Sequence, residues 1–552
     1  MPQIKLLSPS YSYKPAHIWW LIALLAFMLL FRLGASPIYI LDEAKNAQCA
    51  REMLQRNDWV VPTFNGELRT DKPVLHYYFM MIAYKVFGIN EFSARFFSAI
   101  LGILTVIITY YFTKRFTNDL TAFCSALVLV ASTHFLFEFR LSVPDPYLIF
   151  FITAGLLTAY TYLQHNNFTY LLLATVSFAL ATLAKGPVAL ALPGLCLLIW
   201  IILKKKWQLV FTWKLISALI LLGAITLPWY LAVDKATNHA WTRGFFVDHN
   251  LNRFSNPSEG HGGFFLITIL FVLIGLLPFS SFLTEVVKTR KHIFTEDLVK
   301  FSGIVVLTFV VFFSVSSTRL PNYPMPCYPF AAIILGHYLA ASINGETVLK
   351  KYPVLILLVL GLLISVAGYF AITQEREAAS LTWLALLLLI APLVFIVLIL
   401  QWKKISAWQK IMSVAVAYTL FNMAILHVVY PTVYKQNPVA KTLAIVQTHP
   451  VVYAYKPTSK PYLKYRGERY IITEDEGEFY NPGYNFYLNK PVIKFTNADS
   501  LQAALLKNPS AIIISRKDNN ADLQKLNLTK VAEKHDLFES PTTVLYAAPN
   551  KY

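Results

Sequence analysis

Charge is scarce in this chain. Only 14% of its 552 residues are Asp, Glu, Lys or Arg, while 56% are hydrophobic. That balance, with a mean hydropathy of +0.51, places it among polytopic membrane proteins. Cysteine is scarcer still: Cys49, Cys124, Cys196 and Cys327 are scattered, with no CxxC pair. A disulfide framework and a zinc-finger spacing are both excluded. No repeat of fixed period and no low-complexity tract is present. The net charge of +18 is no nucleic-acid footprint, because the lysines and arginines fall in short clusters between apolar runs. The positive-inside rule expects them there.

Apolar runs of spanning length lie near 17–34, 94–113, 119–137, 146–163, 168–184, 187–203, 214–233, 264–284, 299–317, 325–343, 352–373, 380–401 and 409–429. One further run, Pro73 to Gly88, is marginal against the ~20 residues a crossing helix needs. Its His76, tyrosines and Lys85 make it amphipathic, suited to lying in the interface. Charge decides its place. With 73–88 on the surface, Lys114-Arg115, Lys204 to Lys206, Lys288, Arg290, Lys291, Lys350-Lys351 and Lys403-Lys404 all share a side with Lys5 and Lys14. That side is then the cytoplasm. The expectation is about thirteen spans, N-terminus inside and C-terminus outside. The first run reads as an uncleaved signal-anchor, since no small-residue cleavage site follows it.

Residues 1–430 thus form a transmembrane domain, with a first external loop over 36–93 that holds two interfacial helices. After Tyr430 the composition turns polar and mixed. Short β-like runs at 451–455, 470–473, 492–495 and 511–514 alternate with helical stretches near 498–507 and 521–526. They predict a small extracytoplasmic α/β domain, 431–552, with no catalytic signature of its own.

The topology sorts the polar residues. Asp42 and Glu43, Arg69 to Lys72, Arg140 and Asp145, Lys185, the loop 234–263, and Arg319 to Tyr323 all fall on the outer side. Carboxylates at a membrane face are costly and mark a task, although an N-cap is the plain role for Asp42 and for Asp145. A lysine beside proline at the head of a helix, as in Lys72-Pro73, sits near unpartnered backbone amides and suits a phosphate; a snorkelling lysine is its plain alternative. Lys185-Gly186-Pro187 marks a tight helical reversal.

The ordered set LDEAKNAQCAREML, RTDKPVLHYYF, RLSVPDPYLIF, LAKGPVALALP and STRLPNYPMPCYPF resembles the aminoarabinose transferases. These are membrane glycosyltransferases of the GT-C fold, akin to the protein O-mannosyltransferases. The resemblance covers roughly 17–430. It implies a polyprenyl-phosphate sugar donor and a lipid or glycolipid acceptor, lipid A-like, at the periplasmic face of a bacterial inner membrane. Asp42 matches the family's essential carboxylate, Asp145 its second, and Glu43 stands beside the first. Lys72 matches the lysine that holds the carrier phosphate, with Arg69, Lys185, Arg319 and Tyr323 as further donor contacts. Arg319 stands where relatives carry Lys, so charge is kept and geometry differs.

The resemblance also implies a zinc position at Asp71 and His249, with His261 a rival. Asp is a shorter ligand than the family's Glu, and two protein ligands are fewer than a structural zinc site uses. The expectation is that these residues line the site with no metal required. A lipid-linked sugar flippase is disfavoured, since its polar residues would sit near the bilayer midplane. A protein acceptor, as in O-mannosylation, stays open.

Overall fold

The computed structural model describes residues 14, 16–210, 212–247, 264–456, 464–465, 468–469 and 479–548. Lipid offers backbone groups no hydrogen bonds, so the apolar runs close their own as helices. Among the described residues nine helices are long and apolar enough to cross a membrane. The pair Ile267–Gly275 and Phe279–Lys288, bent by 114°, makes one more, and three shorter apolar helices are His17–Leu30, Asp119–Ala131 and Val188–Lys204. Each of the thirteen runs read from the sequence corresponds to one of these segments.

The helices that build the site are α1 (His17–Leu30), α2 (Leu41–Arg56), α3 (Leu75–Phe87), α4 (Glu91–Phe116), α5 (Asp119–Ala131), α6 (Thr133–Glu138), α7 (Asp145–His165), α8 (Phe168–Lys185), α9 (Val188–Lys204) and α10 (Trp213–Ala236). An Asn90–Ser93 capping box starts α4 and fixes its entry. Hydroxyls inside the bundle bond back to their own helix, as Thr105 to the Leu101 carbonyl and Thr153 to the Ile149 carbonyl. The run at 119–137 is broken at Ser132 into α5 and α6. The Ala131 carbonyl at the break accepts from Asn422 Nδ2 at 2.9 Å.

The two expected interfacial helices are α2 and α3. Ala44, Ala47, Ala50 and Met53 form the buried stripe of α2, which packs against α3. Neither Asp42 nor Asp145 is an N-cap. Both are already inside the first helical turn, and no side-chain capping bond forms at either end. Between α2 and α3 runs a two-residue hairpin, Thr63–Phe64 against Glu67–Leu68. Asn65 (φ 53°) and Gly66 (φ 79°) give it the left-handed turn that Asn-Gly favours. Further on, the Arg140 guanidinium donates to the carbonyls of Met28, Leu29, Phe31 and Arg32, capping the end of α1.

The last span, Ala407–Tyr434, runs four residues past the expected boundary at 430. Beyond it a five-stranded sheet forms in the order Val492–Phe495, Val452–Tyr455, Ile512–Arg516, Thr542–Ala547, Thr529–His535. The first three strands are parallel and the last two antiparallel. The strand expected at 470–473 lies outside the described residues.

Candidate active site

The segments sorted to one side by charge meet in space. A cavity of about 280 Å³ opens between the loop before α3, the α8–α9 reversal and the segment after Val315. Asp71, Lys72, Lys185 and Tyr323 are among its polar lining, and Leu148, Val188, Phe245, Phe312 and Phe313 among its apolar lining. A mostly apolar cavity that also holds two cations suits a phosphate that carries a hydrocarbon tail.

Lys185 is the last residue of α8. Gly186 follows with φ +84°, and a Cβ there would press into the Phe245 ring at 2.5 Å. The reversal therefore requires glycine twice over. The Lys185 ammonium pairs with Asp145, the first residue of α7, and lies 4.9 Å from the centre of the Tyr323 ring. Three of the expected residues thus form one contact set around a single cation.

Arg69 is differently used from the expectation. It is 5% exposed and donates to Asn46 Oδ1 at 3.1 Å and the Tyr77 hydroxyl at 3.2 Å. Its guanidinium also meets Asp71 at 3.2 Å, and its carbonyl accepts from Trp241 Nε1 at 2.9 Å. Arg69 therefore lies beneath the cavity as an anchor for the Asp71–Lys72 segment, rather than as a phosphate contact. Arg319 is absent from the lining too; it donates to the Ser314 carbonyl at 3.1 Å. It thereby caps the end of the Asp297–Val315 helix.

Glu43 departs furthest. The sequence offers it as a reacting carboxylate, but it is 0% exposed and gives both oxygens to Arg95, each at 2.7 Å. It also accepts from the Ser142 amide at 3.0 Å. Arg95 in turn donates to the carbonyls of Leu33 and Ser36. A carboxylate so engaged holds α2 to α4 and to the turn before α7, and has nothing left for a substrate. Asp42, its neighbour, is exposed, and its carboxylate accepts no hydrogen bond among the described residues. One residue of helical rotation separates a buried strut from an available acid. Asp42 lies outside the cavity lining, within Coulomb reach of Arg69 and of Glu138.

Glu138 was not singled out from the sequence. It ends α6, is 4% exposed, and its Oε1 has no hydrogen-bond partner among the described residues. Burial first, and Asp145 second, push its carboxyl well above the usual range; Lys185 pulls the other way, and Asp42 and Glu43 add to the push. Its signal in the sequence is one acid in Phe135-Leu136-Phe137-Glu138-Phe139-Arg140, at the end of an aromatic run. His76 is the basic counterpart. It is fully buried on α3, and burial first, with Arg69 and Lys72 nearby, pushes its imidazole well below the usual range, against a backbone contact from Pro73.

Asp71 is the one metal candidate inside the described residues; His249 and His261 lie outside them. The Asp71 carboxylate is met by Arg69, and no group of three or more His, Cys, Asp or Glu among the described residues is placed to hold a metal. A cation already beside the carboxylate opposes a second one.

With this geometry in hand, the likeness to known proteins takes on meaning. Residues 18–243 match the family model described as dolichyl-phosphate-mannose-protein mannosyltransferase. The undecaprenyl phosphate-alpha-4-amino-4-deoxy-L-arabinose arabinosyl transferase of Enterobacter sp. (strain 638) is 29% identical over 343 residues, 60% of this chain and 61% of that protein. Its counterpart in Pseudomonas paraeruginosa is 28% identical over 59% of this chain and 60% of the relative. The matched stretch thus spans under two thirds of either relative. In three dimensions the likeness runs along nearly the whole chain: ArnT from Cupriavidus metallidurans, solved with undecaprenyl phosphate, superposes with a TM-score of 0.74. That match covers 98% of this chain and 100% of that one, at 19% identity. Its apo structure gives 0.75. The chain therefore has the GT-C fold, in the form that the aminoarabinose transferases take.

Proposed function

We propose that this protein is a glycosyltransferase that moves a sugar from a polyprenyl-phosphate carrier to a lipid A-like or other envelope acceptor, at the outer face of the cytoplasmic membrane. One observation carries the reading: a single cavity lined by two cations, Lys72 and Lys185, and by Phe245, Phe312 and Phe313. A phosphate on the cations and a prenyl tail on the phenylalanines satisfy both. The arabinosyl transferases it is similar to use such a carrier by name, and the Cupriavidus enzyme was solved with undecaprenyl phosphate.

In the proposed step an acceptor oxygen bonds to the anomeric carbon as the bond from that carbon to the phosphate oxygen breaks. The electron pair leaves with the phosphate, and Lys72 stabilises the charge that grows there. Lys185, held by Asp145 and Tyr323, keeps a second cation at fixed distance. Asp42 faces the acceptor. If the acceptor is a phosphate, it is already ionised and Asp42 orients it; if it is a hydroxyl, Asp42 takes its proton. The reaction inverts the anomeric centre because it is a single displacement, and the proposed step draws on no metal.

The test is purified protein given candidate polyprenyl-phosphate sugars, with mass spectrometry of lipid and of envelope-protein products. Asp42→Asn and Asp42→Ala should both lose turnover, and Asn should retain more if Asp42 only orients. Wild-type rates in both would end the assignment. The mannosyltransferase family match supports a protein acceptor as the second reading, and the envelope-protein arm decides it.

A further inference from the structure

The availability of Asp42 creates a mechanical problem. No hydrogen bond from the described residues holds its carboxylate, so its position is only as well defined as its backbone. The residues leading into it, 31–40, lie between α1 and α2 and form no regular structure that would fix them. Arg95 secures this segment from the membrane side, through the Leu33 and Ser36 carbonyls and Glu43. What secures it from the other side comes from the C-terminal domain.

Gly483–Leu488 is a short helix of that domain seated against α2. The Tyr487 hydroxyl accepts from the Ile38 amide at 2.8 Å and donates to Glu91 Oε1 at 2.8 Å. Asn481 Nδ2 donates to the Tyr39 carbonyl at 3.2 Å, and the Tyr39 hydroxyl accepts from the Leu537 amide at 3.1 Å. A Cβ on Gly483 would come within 2.8 Å of the Ile38 carbonyl oxygen, so the two backbones meet with no side chain between them. A second set of bonds ties the same helix to the Asn65 hairpin: Asn485 Nδ2 donates to Asn65 Oδ1, and Asn65 exchanges two hydrogen bonds with the Val492 backbone. That hairpin leads straight into Arg69–Lys72.

We propose that the C-terminal domain is part of the catalytic apparatus, with Tyr487 and Asn481 as positioning residues that fix the backbone at 38–39 and so the carboxylate of Asp42. The proposal rests on the reading of Asp42 given above and adds what that reading lacks, a reason for the domain to be there. Tyr487 is the sharpest of the two, because a single hydroxyl joins the amide before α2 to the acid that opens α4.

Tyr487→Phe removes that hydroxyl and keeps the ring, and the test uses full-length protein in lipid nanodiscs. Hydrogen exchange over residues 36–44 should quicken by roughly three- to tenfold, the worth of one intramolecular hydrogen bond, while exchange over 75–87 stays at the wild-type rate. Turnover should show a kcat lowered by about the same factor with KM for the donor within twofold, since Lys72 and Lys185 are untouched. Asn481→Ala should act in the same direction, and Asn481→Asp, which loses the donated bond, should not rescue it. Unchanged exchange at 36–44 in Tyr487→Phe overturns the proposal, as does a donor KM that rises while kcat holds. Exchange is read without any substrate, so the clamp and the glycosyltransferase reading fail separately.

Discussion

Two adjacent carboxylates with opposite burdens give the most direct test of the site. Glu43 is fully buried, and Arg95 is 2% exposed. Converting Glu43 to Gln keeps the shape and removes the charge, which leaves a guanidinium in the bundle with no counter-ion. Breaking a buried pair from one side costs about 3–5 kcal/mol, a large share of the ~5–15 kcal/mol that holds a typical domain folded. Asp42→Asn, one residue away, alters an exposed side chain that has no hydrogen-bond partner among the described residues, where changes stay within about 0.5 kcal/mol. The neighbouring, equally conservative substitutions should therefore differ by roughly 3 kcal/mol in stability and in the reverse order in turnover per folded molecule. Tryptophan-fluorescence unfolding in detergent, run beside the transfer assay, reads both. A double variant, Glu43→Gln with Arg95→Met, should regain much of the loss, because an apolar replacement leaves no buried charge behind. A wild-type unfolding midpoint in Glu43→Gln, or an Asp42→Asn protein as unstable as Glu43→Gln, would refute the division of labour.

Two further expectations concern the rest of the site. Lys72→Ala should lower kcat/KM by about 10²–10³, the usual worth of one preorganised electrostatic contact to a leaving group; Lys72→Arg should recover part of it, and a loss under threefold in the alanine variant counts against Lys72 as the phosphate contact. Glu138 makes a statement about pH. Its folded-state pKa is raised, so the folded protein binds a proton that the unfolded chain releases, and stability falls as pH climbs from the ordinary carboxylate value toward the raised one. The slope is about 1.4 kcal/mol per pH unit across that window. Glu138→Gln has no such slope, so its advantage over wild type should widen with pH; unfolding midpoints of the two proteins that run parallel as pH climbs above the ordinary carboxylate value would contradict a raised Glu138.

What could be read from the chain divides along a physical line. Spans are written in local composition, because lipid demands that each helix satisfy its own backbone, and all thirteen runs were legible for that reason. Charge bias then placed Lys72, Asp145, Lys185 and Tyr323 on one face, and the cavity and its ion pair join them. The parallel strands at 452–455, 492–495 and 512–516 were legible as apolar runs. The edge strand Thr529–His535 was not, since it carries two lysines, a glutamate and a histidine and lies where side chains face water; the interior strand Thr542–Ala547, buried along Thr543–Tyr546, was missed without that excuse.

The charged residues whose observed contacts differ from the expectation share one cause. Glu43, Arg69 and Arg319 stand beside other candidate residues, and a sequence records nearness along the chain but not which way a side chain turns. Helical geometry separates Asp42 from Glu43 by about 100°, enough to send one outward and the other into Arg95, and only the identity of residue 95, fifty-two positions away, decides which. Glu138 was missed for the converse reason: its meaning lies in Asp145 and Lys185, which approach it only when α6, α7 and α8 pack together. The same holds for the C-terminal domain, whose grip on residues 38 and 39 joins positions more than four hundred residues apart. Local composition therefore sorts the candidate residues to one face, while the contacts each makes within that face depend on long-range pairs. Buried struts and available acids have the same letters, and it is the partner that tells them apart.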